Sequence, residues 1–347
     1  MDKIKLGKTG MTVSKLGFGG IPIQRVSEDE AVAVVQRCLD LGITFFDTAN
    51  VYTTSEARIG KAIEGRREKI VIATKSTSRN REGVDEHLNM SLERLGLNYI
   101  DLYQFHQVGD LKSLELVLDL KGPMAVLEKA KKAGVIKHIG ITSHQIDVAK
   151  EAVKSDRFET LMFPFNFIAC EAADELLPLC RKHDVGFIAM KPLAGGALDN
   201  VTIAFKYLLQ FPDVLPIPGI EQPREIQEIV QVLQGSWDMS EAEQNEMQRL
   251  RDVLGNKFCR RCDYCQPCTQ EIPISTVMVV KSAIKRLPPE RLFTGMFADA
   301  VEKATNCTEC GDCEERCPYQ LPIMKMLPES VQCFREAKQK YDKSTGT

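Results

Sequence analysis

The sequence predicts a (β/α)8 barrel followed by a small, mainly helical domain. Two observations lead to this prediction. The first 254 residues alternate short apolar runs with amphipathic stretches, and nine of the twelve cysteines lie after residue 254. Eight strand–helix units in about 230 residues fit this kind of barrel, which takes about 250 residues. We therefore divide the chain of 347 residues into a barrel over 1–254 and a second domain over 255–347.

The predicted strands are apolar runs bounded by turn residues. They cover residues 16–19, 44–47, 70–75, 100–106, 136–141, 161–165, 186–190 and 214–217. An open, doubly wound sheet is the alternative. That fold favours a G-x-G-x-x-G loop after its first strand, and the Gly-Phe-Gly-Gly sequence at 17–20 lacks this spacing.

The predicted helices alternate with these strands. The first opens with a capping box, in which Ser27 is followed three residues later by Glu30. The barrel helices cover residues 27–41, 56–64, 81–95, 123–132, 147–154, 173–183, 201–209, 223–233 and 240–254. In the tail, helices are predicted over 274–286 and 290–304, separated by Pro288 and Pro289.

Four polar residues mark the ends of successive predicted strands. Asp47 ends the second strand, Tyr52 follows it by five residues, Lys75 ends the third and His106 ends the fourth. Catalytic residues of such barrels lie at the carboxyl ends of the strands. A free tyrosine has a pKa of about 10, and a neighbouring ammonium group lowers the pKa of the phenol. The pattern therefore predicts a proton-donating tyrosine, with Lys75 held by Asp47. His106 would either hydrogen-bond the reacting oxygen or share the proton relay.

At these residues the sequence resembles the aldo-keto reductases. The matching stretches are 46–52, 73–75, 104–106, 139–144, 191–196 and 216–219, and the resemblance extends over residues 1–254. It implies a (β/α)8 barrel that uses NAD(P)(H) to reduce an aldehyde or ketone, or to catalyse the reverse reaction. It further implies that Asp47, Tyr52, Lys75 and His106 form the catalytic tetrad, with Tyr52 as the general acid.

The same resemblance implies a set of cofactor-binding residues. Thr142 and Ser143 stand where the family has a Ser-Asn pair that binds the nicotinamide amide, and Met190 stands where a tyrosine often stacks on the ring. The full set is Gly19, Asp47, Thr142, Ser143, Met190, Lys191, Leu193, Gly219, Arg224 and Glu225. Glu221 and Glu225 would repel a 2′-phosphate, whereas Arg224 would attract one. We therefore expect NADH to be used at least as well as NADPH.

The tail carries two cysteine runs. Cys307-x2-Cys310-x2-Cys313-x3-Cys317-Pro is the spacing of bacterial ferredoxins, and Cys259, Cys262, Cys265 and Cys268 form a close variant. Two four-cysteine zinc sites, or one zinc site with spare thiols, are the alternatives. Three evenly spaced cysteines favour a [4Fe–4S] cluster, so we expect two clusters.

In two-cluster ferredoxins the fourth cysteine of each run binds the other cluster. One cluster would then be held by Cys259, Cys262, Cys265 and Cys317, and the other by Cys268, Cys307, Cys310 and Cys313. The remaining cysteines are expected to be spare or packing residues; they are Cys38, Cys170, Cys180 and Cys333.

The whole chain resembles bacterial and archaeal aldo-keto reductases fused to a C-terminal ferredoxin-like domain. The resemblance implies an oxidoreductase with a small carbonyl or alcohol substrate, whose clusters serve electron exchange with a redox partner protein, redox sensing or structure. A net charge of −3 argues against a nucleic-acid partner, and no apolar run reaches membrane-spanning length. We expect a cytoplasmic protein. The alternative functions are a non-catalytic redox-sensing subunit and an electron-transfer protein whose barrel docks partners.

Overall fold

The computed structural model describes residues 1–345, and within that range eight parallel strands form one sheet in chain order. A separate antiparallel hairpin precedes them. The strands of the hairpin are β1 (Lys3–Lys5) and β2 (Thr12–Ser14). The strands of the sheet are β3 (Phe18–Gly19), β4 (Phe45–Asp47), β5 (Val71–Ser76), β6 (Ile100–Phe105), β7 (Ile136–Thr142), β8 (Thr160–Pro164), β9 (Gly186–Met190) and β10 (Val214–Ile217). The predicted eight-strand barrel is confirmed.

The sheet closes on itself between its first and last strands. A parallel bridge joins Gly19 to Gly219, and the amide of Gly19 donates to the carbonyl of Pro218 at 2.8 Å. A Cβ atom at Gly19 would lie 2.9 Å from that carbonyl oxygen, so only glycine allows the two strands to approach this closely. Closure brings all eight carboxyl ends to one rim, where the predicted polar side chains lie.

Helices pack around the barrel and also form the tail. Within the described residues they are α1 (Glu28–Asp40), α2 (Ser55–Ala62), α3 (Arg81–Leu95), α4 (Leu111–Leu118), α5 (Pro123–Lys132), α6 (Ile146–Lys154), α7 (Ala172–Glu175), α8 (Leu177–Lys182), α9 (Val201–Leu209), α10 (Pro223–Gln234), α11 (Glu241–Leu254), α12 (Ile274–Met278), α13 (Val280–Ile284), α14 (Pro289–Leu292), α15 (Met296–Ala304), α16 (Asp312–Glu315) and α17 (Ile323–Thr345). Three short 3-10 turns lie at Gly7–Thr9, Pro22–Gln24 and Arg67–Lys69.

Three predicted helices are each divided in two. The stretch 173–183 becomes α7 and α8, because Pro178 has no amide hydrogen to continue α7 and lies in the first turn of α8. The stretches 274–286 and 290–304 likewise become α12 with α13 and α14 with α15. The capping box of α1 is confirmed, with the hydroxyl of Ser27 accepting from the amide of Glu30.

The hairpin of β1 and β2 was not predicted. It contributes Ile4, Leu6 and Val13 to the buried cluster inside the barrel, which also contains side chains of most strands of the sheet, such as Phe45 and Leu102. The hairpin therefore plugs the barrel with apolar side chains. The main core lies between the sheet and the surrounding helices.

The chain divides into two compact units. One comprises residues 1–194 and 198–243; the other comprises residues 195–197 and the chain from residue 244 onward. The second unit has its own apolar core, which includes Val277, Leu292, Leu327 and Phe334 together with several of the cysteines. Among the described residues, no helix is long and apolar enough to span a membrane.

Candidate functional site

Asp47 and Lys75 form a buried ion pair at the carboxyl ends of β4 and β5. The Lys75 ammonium lies 2.6 Å from the Asp47 carboxylate, and both side chains are at most 5% exposed. Lys75 also donates to the carbonyl of Thr48 at 2.6 Å. Burial raises the pKa of Asp47 and lowers that of Lys75, while the attraction between the two charges opposes both shifts. The lysine is thus held in one position by two short hydrogen bonds.

Tyr52 and His106 complete the group predicted from the sequence. The Lys75 ammonium lies 5.2 Å from the centre of the Tyr52 ring. The rings of Tyr52 and His106 meet edge to face, with centres 5.7 Å apart. Tyr52 is half-buried and His106 is buried. The four residues therefore lie together at one rim of the barrel, with the phenol beside a cation and an imidazole.

Two residues that support this group were not identified from the sequence. Gln104, fully buried on β6, donates to the second carboxylate oxygen of Asp47 at 3.3 Å. Gly20 donates its amide to the Asp47 carbonyl at 2.8 Å, and a Cβ atom there would lie 2.6 Å from the Ser55 hydroxyl. A glutamine within an apolar strand was the available signal for the first of them.

Thr142 and Ser143, expected to bind the nicotinamide amide, lie at the end of β7 and are buried. The hydroxyl of Thr142 accepts from the amide of Gln107 at 2.8 Å. The hydroxyl of Ser143 donates to the carbonyl of Val108 at 2.7 Å and accepts from the amide of Gln145 at 3.1 Å. Both side chains therefore fasten the loop after β6.

The expected cofactor residues Met190, Lys191 and Leu193 lie at and after the end of β9, and all three are half-buried. Lys191 and Ala194 adopt left-handed φ angles of 56° and 46°, which are rare for residues other than glycine. The ammonium of Lys191 lies 2.9 Å from Nε2 of His144. The loop thus has left-handed residues of a kind that cluster at functional sites, and it places an ammonium group beside an imidazole.

Asn166 holds this loop in place and was not identified from the sequence. It is fully buried after β8 and donates its amide to the carbonyl of Lys191 at 3.0 Å. Its side-chain oxygen accepts from the amides of Ile168 and Ala169, both at 2.9 Å.

At the start of α10 the two glutamates have different roles. The carboxylate of Glu225 accepts from the amides of Glu221 and Gln222 at 2.8 and 3.0 Å, which makes it part of a capping box. Glu221 forms a distant pair with Arg25 at 3.9 Å, and Arg224 is exposed. Glu225 is therefore a capping residue, and its carboxylate already occupies the amides at this helix end.

In the second unit, four of the eight expected cluster cysteines line one cavity. They are Cys268, Cys307, Cys310 and Cys313, and apolar side chains including Ile272 and Leu327 line the same cavity. This is the set predicted for one cluster if the fourth cysteine of each run binds the cluster of the other run. Cys310 is exposed, whereas Cys313 is buried.

The other four cysteines are also neighbours. The pKa of Cys262 is raised to about 11, mainly by burial and in part by the charges of Cys259 and Cys317. Burial raises the pKa of Cys265 to about 12, with further contributions from Asp263, Cys259 and Cys262. Among the described residues, no three or more Cys, His, Asp or Glu side chains are arranged to hold a single metal ion.

The fold and the rim residues together define a barrel enzyme whose polar side chains gather at the carboxyl ends of its strands. The aldo/keto reductase family model matches residues 15–203, more than half of the chain. The chain therefore belongs to the aldo/keto reductase family and is an oxidoreductase by family.

Individual relatives agree with this assignment. The uncharacterized oxidoreductase YqkF of Bacillus subtilis is 31% identical over 212 residues, which are 57% of this chain and 67% of the relative. L-galactose dehydrogenase of Arabidopsis thaliana is 34% identical over 221 residues, which are 57% of this chain and 68% of the relative.

Solved structures support the fold. Aldo-keto reductase AKR11C1 of Bacillus halodurans, in its holo form, matches with a TM-score of 0.64 and 26% identity, over 72% of this chain and 96% of that one. An aldo/keto reductase of Klebsiella pneumoniae, solved with NADP and acetate, matches with a TM-score of 0.61 and 21% identity, over 72% of this chain and 95% of that one.

Proposed function

We propose that the barrel reduces a small aldehyde or ketone with a nicotinamide dinucleotide, or catalyses the reverse oxidation of an alcohol. The observation that carries this proposal is the placement of Tyr52 beside the buried Lys75–Asp47 pair and the His106 ring. A reduced nicotinamide, when bound, would supply a hydride for the carbonyl carbon. The residues of this chain must then supply the proton and neutralise the charge that develops on oxygen.

In this mechanism Tyr52 gives its phenolic proton to the carbonyl oxygen as the new C–H bond forms. The Lys75 ammonium stabilises the negative charge left on the phenol, because the barrel interior screens that charge poorly. Asp47 keeps Lys75 in place and His106 donates a hydrogen bond to the substrate oxygen. In the oxidation direction Tyr52 takes the proton back.

The cofactor would be held by the rim loops. In the proposed site the hydroxyl hydrogen of Thr142, with Ser143, would contact the nicotinamide amide. Lys191 would neutralise the charge of a dinucleotide phosphate. It lies in the loop after β9, where Lys191 and Ala194 have left-handed φ angles. The other proposed contacts are Gly19, Asp47, Met190, Leu193, Gly219 and Arg224. Glu225 would contribute indirectly, as the capping residue of α10. The Klebsiella pneumoniae structures, solved with NADP or NADPH, support this cofactor class.

The experiment is a screen of NADH and NADPH oxidation against a panel of aldehydes and ketones, on the full chain purified without oxygen. We expect turnover of at least one carbonyl with one of the two nicotinamides. Tight nicotinamide binding with no turnover of any carbonyl or alcohol would instead favour a redox-sensing or docking role for the barrel.

We further propose that residues 255–347 form a domain that binds two [4Fe–4S] clusters with crossed ligands. The cysteines fit the clusters by donor chemistry, because each set supplies four sulfur ligands and each is partly enclosed by apolar side chains. Cys259, Cys262, Cys265 and Cys317 would hold one cluster, and Cys268, Cys307, Cys310 and Cys313 the other. Such clusters carry single electrons.

Cys310 is exposed, which favours exchange of these electrons with a redox partner protein at the cluster that Cys310 would help to hold. Iron, sulfide and zinc analysis of protein purified without oxygen tests the cluster assignment. About eight iron and eight sulfide per chain are expected. Stoichiometric zinc without iron would show that the two runs are zinc sites instead.

A further inference from the structure

The side chain of Arg79 connects the loops at the ends of two neighbouring strands. It lies between β5 and α3, and its guanidinium group makes four hydrogen bonds to backbone carbonyls. One terminal nitrogen donates to Thr77 and Ser78 at 3.0 and 3.2 Å. The other donates to His106 and Gln107 at 2.6 and 3.0 Å. The first pair belongs to the loop of Arg79 itself, and the second to the loop after β6.

The second pair of carbonyls belongs to the backbone that carries His106. The amide of His106 donates to the carbonyl of Ser76 at 2.8 Å, so one backbone polar group of His106 is bound to the end of β5 and the other to Arg79 in the loop after it. Gln107 has a left-handed φ of 53°, an unfavourable conformation for a residue with a side chain. Such a conformation persists only where surrounding contacts hold it.

The connection continues to the next strand. The amide of Gln107 donates to the hydroxyl of Thr142 at 2.8 Å. Arg79 therefore fixes the residue that joins His106, the proposed partner of the substrate oxygen, to Thr142, a proposed nicotinamide contact. A guanidinium group suits this task, because it has five donors in a rigid plane and keeps its charge.

We propose that Arg79 is a positioning residue for the reaction: it holds His106 and Thr142 at the distance that the bound substrate and nicotinamide require. This inference rests on the proposed function. It is distinct from the tetrad itself, because Arg79 acts through the backbone of His106 and Gln107. Lysine cannot replace it, since one ammonium group cannot reach four carbonyls in this fan-shaped arrangement.

The test compares Arg79→Ala and Arg79→Lys with Arg81→Ala. Arg81 is a matched control, because it lies two residues away, is exposed, and donates to the carbonyl of Lys121, outside the rim site. We expect both Arg79 variants to lose at least tenfold in kcat. The primary isotope effect on kcat with deuterated nicotinamide should rise, since misplaced groups slow the hydride step. Arg81→Ala should keep the wild-type kcat and isotope effect.

A second measurement does not depend on turnover. Hydrogen exchange of the Gln107 amide should accelerate at least tenfold in Arg79→Ala and stay unchanged in Arg81→Ala, while both keep the far-UV circular dichroism spectrum of wild type. Equal exchange in the two variants would overturn the assignment of Arg79 whatever the activity. If wild type turns over no carbonyl but the exchange rates differ as expected, the proposed function fails and the positioning of the His106 loop by Arg79 stands.

Discussion

Replacing Lys75 by methionine should destabilise the barrel strongly. The substitution keeps most of the side-chain volume but removes the cation that lies 2.6 Å from the Asp47 carboxylate. That carboxylate is buried, and its remaining side-chain partner is the amide of Gln104 at 3.3 Å. A carboxylate left in a buried site without its counter-charge is costly, because it has lost the solvation it had in water.

The size of the expected loss of stability follows from the burial of both Asp47 and Lys75. Breaking a buried ion pair by removing one partner costs about 3–5 kcal/mol. For a domain of this size each kcal/mol lowers the melting temperature by about 2–4 °C, so the expected loss is about 6–20 °C. Burial raises the pKa of Asp47 even beside Lys75, and loss of the lysine raises it further.

The loss should therefore depend on pH in a definite direction. A carboxyl group whose pKa is higher in the folded than in the unfolded state binds more protons when folded, so the variant gains stability relative to wild type as the pH falls. The stability of Lys75→Met should fall furthest below that of wild type at pH values above the raised pKa of Asp47. The difference should shrink as the pH is lowered through that value.

The assay is urea denaturation followed by far-UV circular dichroism, at several pH values, with two comparison proteins. Lys61→Met removes the lysine of an exposed pair with Glu28 and should leave stability unchanged within error. The double variant Asp47→Leu with Lys75→Met should recover most of the loss, since neither charge of the pair remains. If Lys75→Met is as stable as Lys61→Met at neutral pH, the buried-pair reasoning is wrong.

Three further outcomes are expected. Tyr52→Phe should abolish carbonyl reduction while changing the nicotinamide Kd less than twofold, because in the proposed mechanism its hydroxyl acts only in the chemical step; Tyr103→Phe, which removes the hydroxyl of a fully buried tyrosine, should stay active. Cys310→Ser should retain about four irons of eight, whereas Cys333→Ser should retain all of them. NADH should have a kcat/KM at least equal to that of NADPH, and a tenfold preference for NADPH that Arg224→Gln abolishes would contradict this and identify Arg224 as the phosphate contact.

The parts of the fold that sequence alone predicts are those governed by local periodicity. β9, β10, α3, α5 and α9 have the predicted bounds, because their apolar spacing and end signals agree. The hairpin of β1 and β2 was missed because each of its strands carries a single apolar residue, Ile4 or Val13, and so gives no apolar run. Its place is set by burial inside the barrel.

The site shows the same division between local and long-range information. The residue types at the strand ends identified Asp47, Tyr52, Lys75 and His106, and the fold brings them together. The sequence did not predict the capping role of Glu225 or the backbone contacts of Ser143. Both depend on which backbone groups the fold brings next to a side-chain oxygen atom. Arg79 gave no signal, because its four partners are carbonyl groups that every residue carries.

The closure of the barrel at Gly19 and Gly219 has a consequence for local opening. β3 has two residues, and its contact with β10 is an isolated bridge flanked by hydrogen bonds from the amides of Gly17 and Gly19, whereas β6 and β7 pair along most of their length. Regions with few hydrogen bonds open at a lower free energy than the global unfolding of a domain. The amides of Gly17 and Gly19 should therefore lose protection before those of β6. Gly20, the residue after Gly19, donates to the Asp47 carbonyl, so each opening would free one side of the strand next to the backbone of the ion pair.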